Sequence, residues 1–411
     1  MEVHVALSKP VDTGLDLSDP DLIADHLPLD EFAWLRRNRP IRWNPQAGGY
    51  GDGGFWALTR HADITAVTRS PGWSVETNSA FVRQLDESDP TGESTKNLLL
   101  CMDPPRHTRV RKVGNRCFTP RALAGLEDDL RERAHRIVWA AKRDGTGDFV
   151  VDVARHLPLQ AIAGLMGIPD ADRQQLFDWS DQMAGSEDPE YASTDLSGVV
   201  EMFAYAHAAA EARVDEDLGD VTSRLVSPDV DGQRLTSEEF AFFFMILAVA
   251  GNETTRQAIT HGMLAFLQYP DEWELWRSQR PATAVDEILR WASPAVVLQR
   301  TATEDIEVAG QLVRTGERVA LYFASANFDE EVYDDPRRFD ISRSPNPHVT
   351  FGAGGSHFCI GANLSRLELK VMFDVIADEL AETKLMGPPR RLRSSWLNGI
   401  KHLPVSYGRS R

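Results

Sequence analysis

FGAGGSHFCIG, residues Phe351 to Gly361, runs directly into ANLSRLELKVMFDVIADEL, Ala362 to Leu380. Gly352, Gly354 and Gly355 put three glycines in four residues, which excludes a helix or a stable strand and leaves a tight loop. The loop delivers Cys359 to the start of an amphipathic helix predicted over Leu364 to Leu380. There the backbone N–H groups and the helix dipole stabilise a thiolate. Glycines also let a flat object approach the backbone closely. The chemistry this suggests is a thiolate metal ligand beneath a planar cofactor. The competing readings are weaker or bland. A lone cysteine is most often a small core hydrophobe. A G-x-S-x-G elbow at Ser356 fails because its second glycine would fall at Phe358. A zinc site on His357 and Cys359 lacks two further nearby ligands.

Upstream, Thr236 followed by Glu239 is a capping-box signature just before AFFFMILAVA, Ala241 to Ala250. Nothing stops this helix until Pro270, so it is predicted over Ser237 to Tyr269, roughly 50 Å at 1.5 Å per residue. Its first half is apolar nearly all round and is expected to be buried. The middle carries AGNETT, Ala250 to Thr255, whose polar groups need partners or a task if buried. The alternative is a solvent-facing patch on an amphipathic helix. Periodicity predicts further helices over Arg121 to Lys142, Leu159 to Leu165, Val199 to Val214 and Ala284 to Trp291. Short β-type runs flank Trp56, and a hairpin is predicted over Ile306 to Phe323, turning at Gly310 and Gly316. Asp86 to Lys96, DESDPTGESTK, reads as a mobile loop rather than a domain boundary.

Composition narrows the class. The 411 residues are 42% hydrophobic, and 44 Lys plus Arg against 62 Asp plus Glu leave a net charge of −18. That excludes intrinsic disorder and argues against nucleic-acid or anionic-membrane partners. Cys101, Cys117 and Cys359 form neither a disulfide framework nor a Cys-x-x-Cys pair. The N-terminal residues show no basic-then-apolar secretory pattern. The longest apolar run, Phe240 to Ala250, falls well short of the ~20 residues of a membrane span. A soluble, cytoplasmic protein is expected, and its length fits two or three domains or one large fold.

Phe351-Gly352-x-Gly354-x-x-His357-x-Cys359-x-Gly361 resembles the haem-ligand signature of the cytochrome P-450 monooxygenases. AGNETT resembles that family's acid–threonine segment in its long central helix. Glu287-Ile288-Leu289-Arg290 resembles its Glu-x-x-Arg, with Arg338 in DPRRFD as the third member of the network. His107 and Arg111 in RHTRVR, Arg300 in LQRTA and His357 fall where the family places haem-propionate partners. The resemblance runs from about Phe55 to His402 in the family's order. Read alone, His107 and Arg111 are four apart, share a helix face and can grip one anion. The ordinary alternative is a solvated basic face, since Arg106, Arg109, Lys112 and Arg116 surround them. Glu287 and Arg290, three apart, would ordinarily be a surface pair contributing ~0.3 kcal/mol. The resemblance implies instead a buried network holding the cysteine loop.

The fold implied is a single domain over residues 1–411, mainly α with a small β region, the haem lying between the long central helix and the cysteine loop. The cofactor implied is haem b (heme b; iron protoporphyrin IX), with Cys359 as metal ligand and Phe351, Gly352 and Gly251 also beside it. A thiolate ligand pushes electron density through iron and favours O–O cleavage of bound O2. Glu253 and Thr254 are implied to be the catalytic acid–alcohol pair delivering protons, with Gly251 making room for oxygen. Fatty-acid peroxygenases of this family carry Arg-Pro there, so the pair favours O2 over peroxide. No flavin or iron–sulfur domain is visible. Electrons are therefore expected from NAD(P)H through separate proteins, a ferredoxin and its reductase, with Arg106, Arg109, Lys112 and Arg116 as docking charges.

For substrate, several stretches resemble the actinobacterial steroid C26-monooxygenases. They are Leu157 to Pro169, Ala248 to Phe266, Ser325 to Phe339, Ser344 to Val349 and Ser394 to Val405. This implies a sterol or steroid side chain as the site of oxidation. Val75 to Leu100 and Ala192 to Asp220 show no pattern to carry over, and Val296, Val297 and Leu298 are candidate pocket positions. A terpenoid or polyketide tailoring hydroxylase is the alternative. A non-enzymatic haem sensor, which would not need Glu253 and Thr254, and an apolar-lipid carrier, which would need neither Cys359 nor the propionate set, are remote.

Overall fold

Thr236 starts the central helix in the way its sequence predicts. Its hydroxyl accepts from Glu239 N and the Glu239 carboxylate accepts from Thr236 N, both at 3.1 Å, which satisfies two otherwise orphaned N–H groups. The computed structural model describes residues 15–46, 50–83, 95–191, 197–214, 220–228 and 232–408. Residues 86–94 of the expected mobile loop, and 192–196 and 215–219 of the unpatterned stretch, lie outside the described residues.

Eight helices frame the site: α1 (Arg106–Asn115), α2 (Glu127–Asp144), α3 (His156–Leu165), α4 (Arg173–Ala184), α5 (Ser197–Val214), α6 (Ser237–Gln268), α7 (Ala284–Ala292) and α8 (Ala362–Glu379). The capped central helix is α6, whose 32 residues span about 48 Å. It packs against α3, α4, α5, α7 and α8, which explains why it is apolar on nearly every side. Phe240, Phe244, Phe266 and Phe373 are buried in this helical core. The helix predicted over Arg121 to Lys142 is broken: a short turn at Pro120–Leu123 precedes α2. Gly125 lies in the break, where a glycine makes continuing the helix unfavourable by about 1 kcal/mol.

The strands used below are β1 (Ile41–Pro45), β2 (Gly54–Leu58), β3 (Trp73–Ser74), β4 (Leu298–Ala302), β5 (Ile306–Val308), β6 (Gln311–Val313) and β7 (Arg318–Leu321), and shorter ones pair in two further small sheets. Here the predicted hairpin over Ile306 to Phe323 is corrected. Only β5 and β6 pair locally, across a turn in which Ala309 and Gly310 both have positive φ. After Gly316, β7 leaves to run parallel to β2 and antiparallel to β4, in a sheet ordered β1-β2-β7-β4-β3. Arg318 marks the switch. Its fully buried guanidinium pairs with Asp52 and reaches Gln46 Oε1 at 3.0 Å and Gln299 Oε1 at 2.9 Å. Those partners are distant in sequence, so local alternation carried no sign of them.

Glu287 and Arg290 of α7 are both fully buried, not a surface pair. Both Glu287 oxygens accept from Arg290, each at 2.8 Å. The third side chain is Arg343, whose Nε donates to Glu287 at 3.2 Å, with Asn346 adding a bond at 3.0 Å. The expectation for Arg338 is therefore corrected: its side chain is exposed, and only its carbonyl takes part, accepting from Arg290 and Arg343. Phe339 takes the inward place next to it, fully buried, and the turn from Asp340 to Arg343 brings the later arginine back onto Glu287. Beyond it, Thr350 Oγ1 donates to Leu289 O at 3.0 Å, and Val349 N donates to Asn327 Oδ1 at 2.8 Å. The approach to Phe351 is thus anchored on α7. Removing one member of such a buried set leaves an uncompensated charge, so Arg343→Leu is expected to lower stability by about 3 kcal/mol. Arg338→Leu should stay within about 0.5 kcal/mol. Chemical denaturation checks both, and equal losses would contradict the assignment of Arg343.

Candidate functional site

The cysteine loop is closed by Cys359 N donating to Phe351 O at 2.9 Å. Its turns need glycine: Gly352 and Gly355 have φ of +85° and +78°, and a Cβ at Gly355 would stand 2.2 Å from Thr68 O. At Gly352 no atom comes nearer than 3.9 Å to where a Cβ would be, so space lies beside that part of the loop. The loop places Cys359 just before α8, with the Gly361 N–H directed at its sulfur. Cys359 is exposed, yet it lies deep enough that burial pushes its thiol up, against the lowering effect of the Gly361 N–H, Arg111 and Arg366. Both hold together because the residue opens onto a hollow inside the protein.

Basic groups gather at that hollow. The His107 and His357 rings lie 4.1 Å apart. His107 is 1% exposed, and neither of its ring nitrogens has a partner. Burial, reinforced by Arg111 and Arg300, pushes His107 down to about 4 and His357 to about 2. Arg300 is buried and donates to Gln299 O at 2.7 Å; burial takes it down to about 10. Arg111 donates to the carbonyl of Phe358, next to Cys359. None of the hydrogen bonds that these four make among the described residues reaches a carboxylate.

The test of a haem group is whether these leftovers match it, and they do. Orphaned buried N–H donors and an unpaired guanidinium are costly unless an anion meets them. A flat metal complex bearing carboxylates would supply those anions while offering its metal to the Cys359 thiolate. Among the described residues no group of three or more His, Cys, Asp or Glu side chains is arranged to hold a metal ion.

Over the loop lies the AGNETT segment. Thr255 Oγ1 of α6 meets Ser365 Oγ of α8 at 3.2 Å. In the middle of α6, Ile246, Val249, Ala250, Gly251 and Thr254 stay partly exposed among buried neighbours, a stripe at helical spacing. Thr254 Oγ1 donates to Ala250 O at 2.7 Å. Glu253, one residue earlier, turns about 100° away and is fully buried, paired with Arg256. Burial raises its carboxyl to about 7, against the opposing charge of Arg256. Gly251 is partly exposed beside Ala250 and Thr254, and it also lets α3 come close. A Cβ there would meet Ile162 of α3 at 3.1 Å.

The pocket expectation is also revised. Val296 and Val297, at 2% and 1% exposed, belong to the core with Phe32, Phe55 and Tyr322. Leu298 alone of the three is partly exposed, and it joins Phe81, Leu98, Leu100 and Trp396 in a separate apolar cluster. Phe81 and Trp396 touch edge to face, 5.8 Å between centroids, and Trp396 O accepts from Val296 N at 2.7 Å. Loop residues far apart in sequence build this wall. Its one local trace is the apolar run Leu98 to Leu100.

The histidine geometry sets a pH dependence. In the cofactor-free protein His107 has its folded pKa near 4, against 6.5 when unfolded. The unfolded chain therefore binds the proton first, so stability is full above about 6.5 and is lost as pH falls toward 4. His107→Phe is expected to flatten that part of the stability–pH curve in chemical denaturation, and an unchanged slope would contradict it.

The Cytochrome P450 family profile matches residues 282–377. A "Steroid C26-monooxygenase" of Rhodococcus jostii is 48% identical over 98% of this chain and 87% of its own length. One from Mycobacterium tuberculosis is 48% identical over 96% of the chain and 93% of its length. A "Methyl-branched lipid omega-hydroxylase" of M. tuberculosis is 42% identical over 92% and 90%. Among solved structures, a Mycobacterium marinum cytochrome P450 in complex with pseudoionone superposes with a TM-score of 0.89 at 37% identity, covering 98% of this chain and 100% of that one. Among the described residues, no helix is long and apolar enough to cross a membrane. With its cysteine loop, its capped central helix and relatives alike over nearly the whole length, the chain belongs to the cytochrome P450 family and is a haem monooxygenase.

Proposed function

We propose that the chain inserts one oxygen atom of O2 into a C–H bond at the end of a branched aliphatic chain, the side chain of a sterol or steroid. The observation that carries this is the agreement between its two sets of relatives. Both the C26-monooxygenases, at 48%, and the methyl-branched lipid omega-hydroxylase, at 42%, are named for oxidation at a chain terminus. A sterol side chain ends in an isopropyl group, so the two substrates share a branched end. The apolar wall of Phe81, Leu98, Leu100, Leu298 and Trp396 suits such a chain.

In this reading the Cys359 thiolate is the metal ligand, and His107, Arg111, Arg300 and His357 hold the haem carboxylates. Phe351 and Gly352 shape the loop beneath. Haem bound there supplies the activation of dioxygen that side chains alone do not provide. Thr254 presents its hydroxyl to the hollow and passes protons at Oγ1. Glu253, held near neutrality by burial, is the acid that resupplies them. The apolar stripe of α6 excludes bulk water.

Electrons come from NAD(P)H through a separate ferredoxin and its reductase, in a cytoplasmic setting. Arg106 and Arg109 are engaged with Asn97 and Glu239. Lys112 and Arg116 are the more exposed of the four, and together with Arg106 and Arg109 they present the docking charge on α1 and just beyond it. A terpenoid substrate is the second reading, favoured by the structural relative that holds pseudoionone.

Titrating the ferric haem protein with cholest-4-en-3-one tests the first reading. A low-to-high-spin shift of the Soret band is expected, and a response to pseudoionone alone would move the assignment to terpenoids. Thr254→Ala should lower product formed per electron by about tenfold or more and raise peroxide. Unchanged coupling would count against its proton role. Cys359→Ser should abolish the thiolate spectrum.

A further inference from the structure

Trp396 is the largest side chain of the apolar wall, yet no helix carries it. It sits on an irregular segment between the short strands Arg390–Arg391 and Ile400–His402. What holds that segment is α6. His261 Nε2 meets Asn398 O at 2.9 Å, and Gln257 Oε1 accepts from Ile400 N at 2.7 Å. Burial, with Arg391 close by, pushes His261 down to about 3, so the ring is neutral. A carbonyl can only accept, so the ring proton sits on Nε2 and is donated to Asn398 O. Asn398 extends the grip to the end of α7: its N–H donates to Pro294 O at 2.8 Å and its Nδ2 to Ala292 O at 2.6 Å. On its other side the segment reaches the loop after α4, where Ser395 N donates to Glu187 Oε2 at 2.6 Å.

The place of these two side chains along α6 connects them to the chemistry. Gln257 is three residues beyond Thr254 and His261 seven beyond it, one and two turns along the same side of the helix. The Thr254 hydroxyl and the bonds that place Trp396 are thus built on one rigid element. Gln257 is fully buried, and its Nε2 has no partner among the described residues. An apolar side chain of that size would avoid this cost, so what the glutamine adds is its Oε1 acceptor. A branched chain end makes such registration matter. Its tertiary C–H bond is weaker than those of its terminal methyl groups, so oxidation at the very end requires the tertiary carbon to be held away. The two carbons are one bond, about 1.5 Å, apart. A wall free to shift by about 1 Å no longer tells them apart.

We propose that His261 and Gln257 are positioning residues for regioselectivity: they register Trp396 against Thr254 and so steer oxidation to the terminal methyl rather than the tertiary carbon of a branched chain end. Both act through Trp396. The inference rests on the sterol or steroid side chain being the substrate.

The test compares wild type with His261→Leu, His261→Gln, Gln257→Met and Trp396→Ala, each as the haem protein turning over cholest-4-en-3-one with a ferredoxin and ferredoxin reductase. Two readouts are taken: the ratio of products oxidised at the tertiary carbon to those oxidised at the terminal methyl, and amide hydrogen exchange of peptides covering residues 394–402. His261→Leu and Gln257→Met should each raise the ratio about threefold to tenfold. Each should also speed exchange in residues 394–402 while leaving α2 unchanged. His261→Gln keeps an N–H donor where Nε2 stood and should restore most of the selectivity. Trp396→Ala should relax it further. Gln257→Met decides the matter by itself if His261→Leu does not fold. If Trp396→Ala shifts the ratio while both His261→Leu and Gln257→Met leave it in place, the positioning role is overturned and the wall stands. If Trp396→Ala leaves the ratio unchanged, the inference fails while the substrate stands. If wild type does not oxidise the steroid side chain, the reading of function fails, and this inference with it.

Discussion

A fully buried guanidinium has no water to fall back on, and the Arg290 side chain is in that position. Its bonds go to both oxygens of Glu287 and to the carbonyls of Asn327, Pro336 and Arg338. Those carbonyls belong to the chain that leads toward the cysteine loop, so satisfying one charge dictates the path of the backbone there. Arg343 and Asn346 then fill the remaining capacity of Glu287, and Thr350 closes onto α7 just before Phe351. The ligand loop inherits its position from this set. Such a buried cluster is not a cheap source of stability. Its value here is that it leaves a glycine-rich segment with one place to go.

The site complements the network by being incomplete. Elsewhere large buried guanidinium groups are matched: Arg318 by Asp52 and two glutamines, Arg290 by Glu287. Around the hollow, among the described residues, the ring nitrogens of His107 have no hydrogen-bond partner, Arg300 bonds a single carbonyl, and Cys359 is both deep and exposed. A cluster of basic groups with no carboxylate among their hydrogen-bond partners, gathered beside an open cysteine, suits something bearing acid groups and a metal. Family membership and unsatisfied chemistry thus agree on independent grounds.

The central helix carries two conflicting demands. Burial against its neighbouring helices requires apolar residues on nearly every side, while the proposed chemistry asks for a hydroxyl on one face and a carboxyl on another. The helix resolves this by angular separation. Thr254 faces the hollow and bonds back to Ala250, while Glu253 turns to α4 and meets Arg256 and Asp181. Adjacent residues of one motif therefore sit in different electrostatic surroundings.

Much of this was legible in the residues. The glycine spacing before Cys359, the capping box at Thr236 and the unbroken run to Pro270 are local signals, since turn strain, cap hydrogen bonds and helical period all act within a few residues. They determined the ligand loop, the long helix and the mainly helical class. What the tertiary structure decided depends on contacts between distant segments. Arg343 rather than Arg338 reaches Glu287 because a turn and a buried phenylalanine set which side chain points inward. The strand at Arg318 leaves its hairpin for a parallel neighbour some 260 residues earlier. Gly251 lets α3 approach through Ile162, and Val296 and Val297 are packed into the core while Leu298 joins Phe81 and Trp396. Spacing along a chain records period and cap, but which face of an element meets which neighbour is set only when the whole core packs.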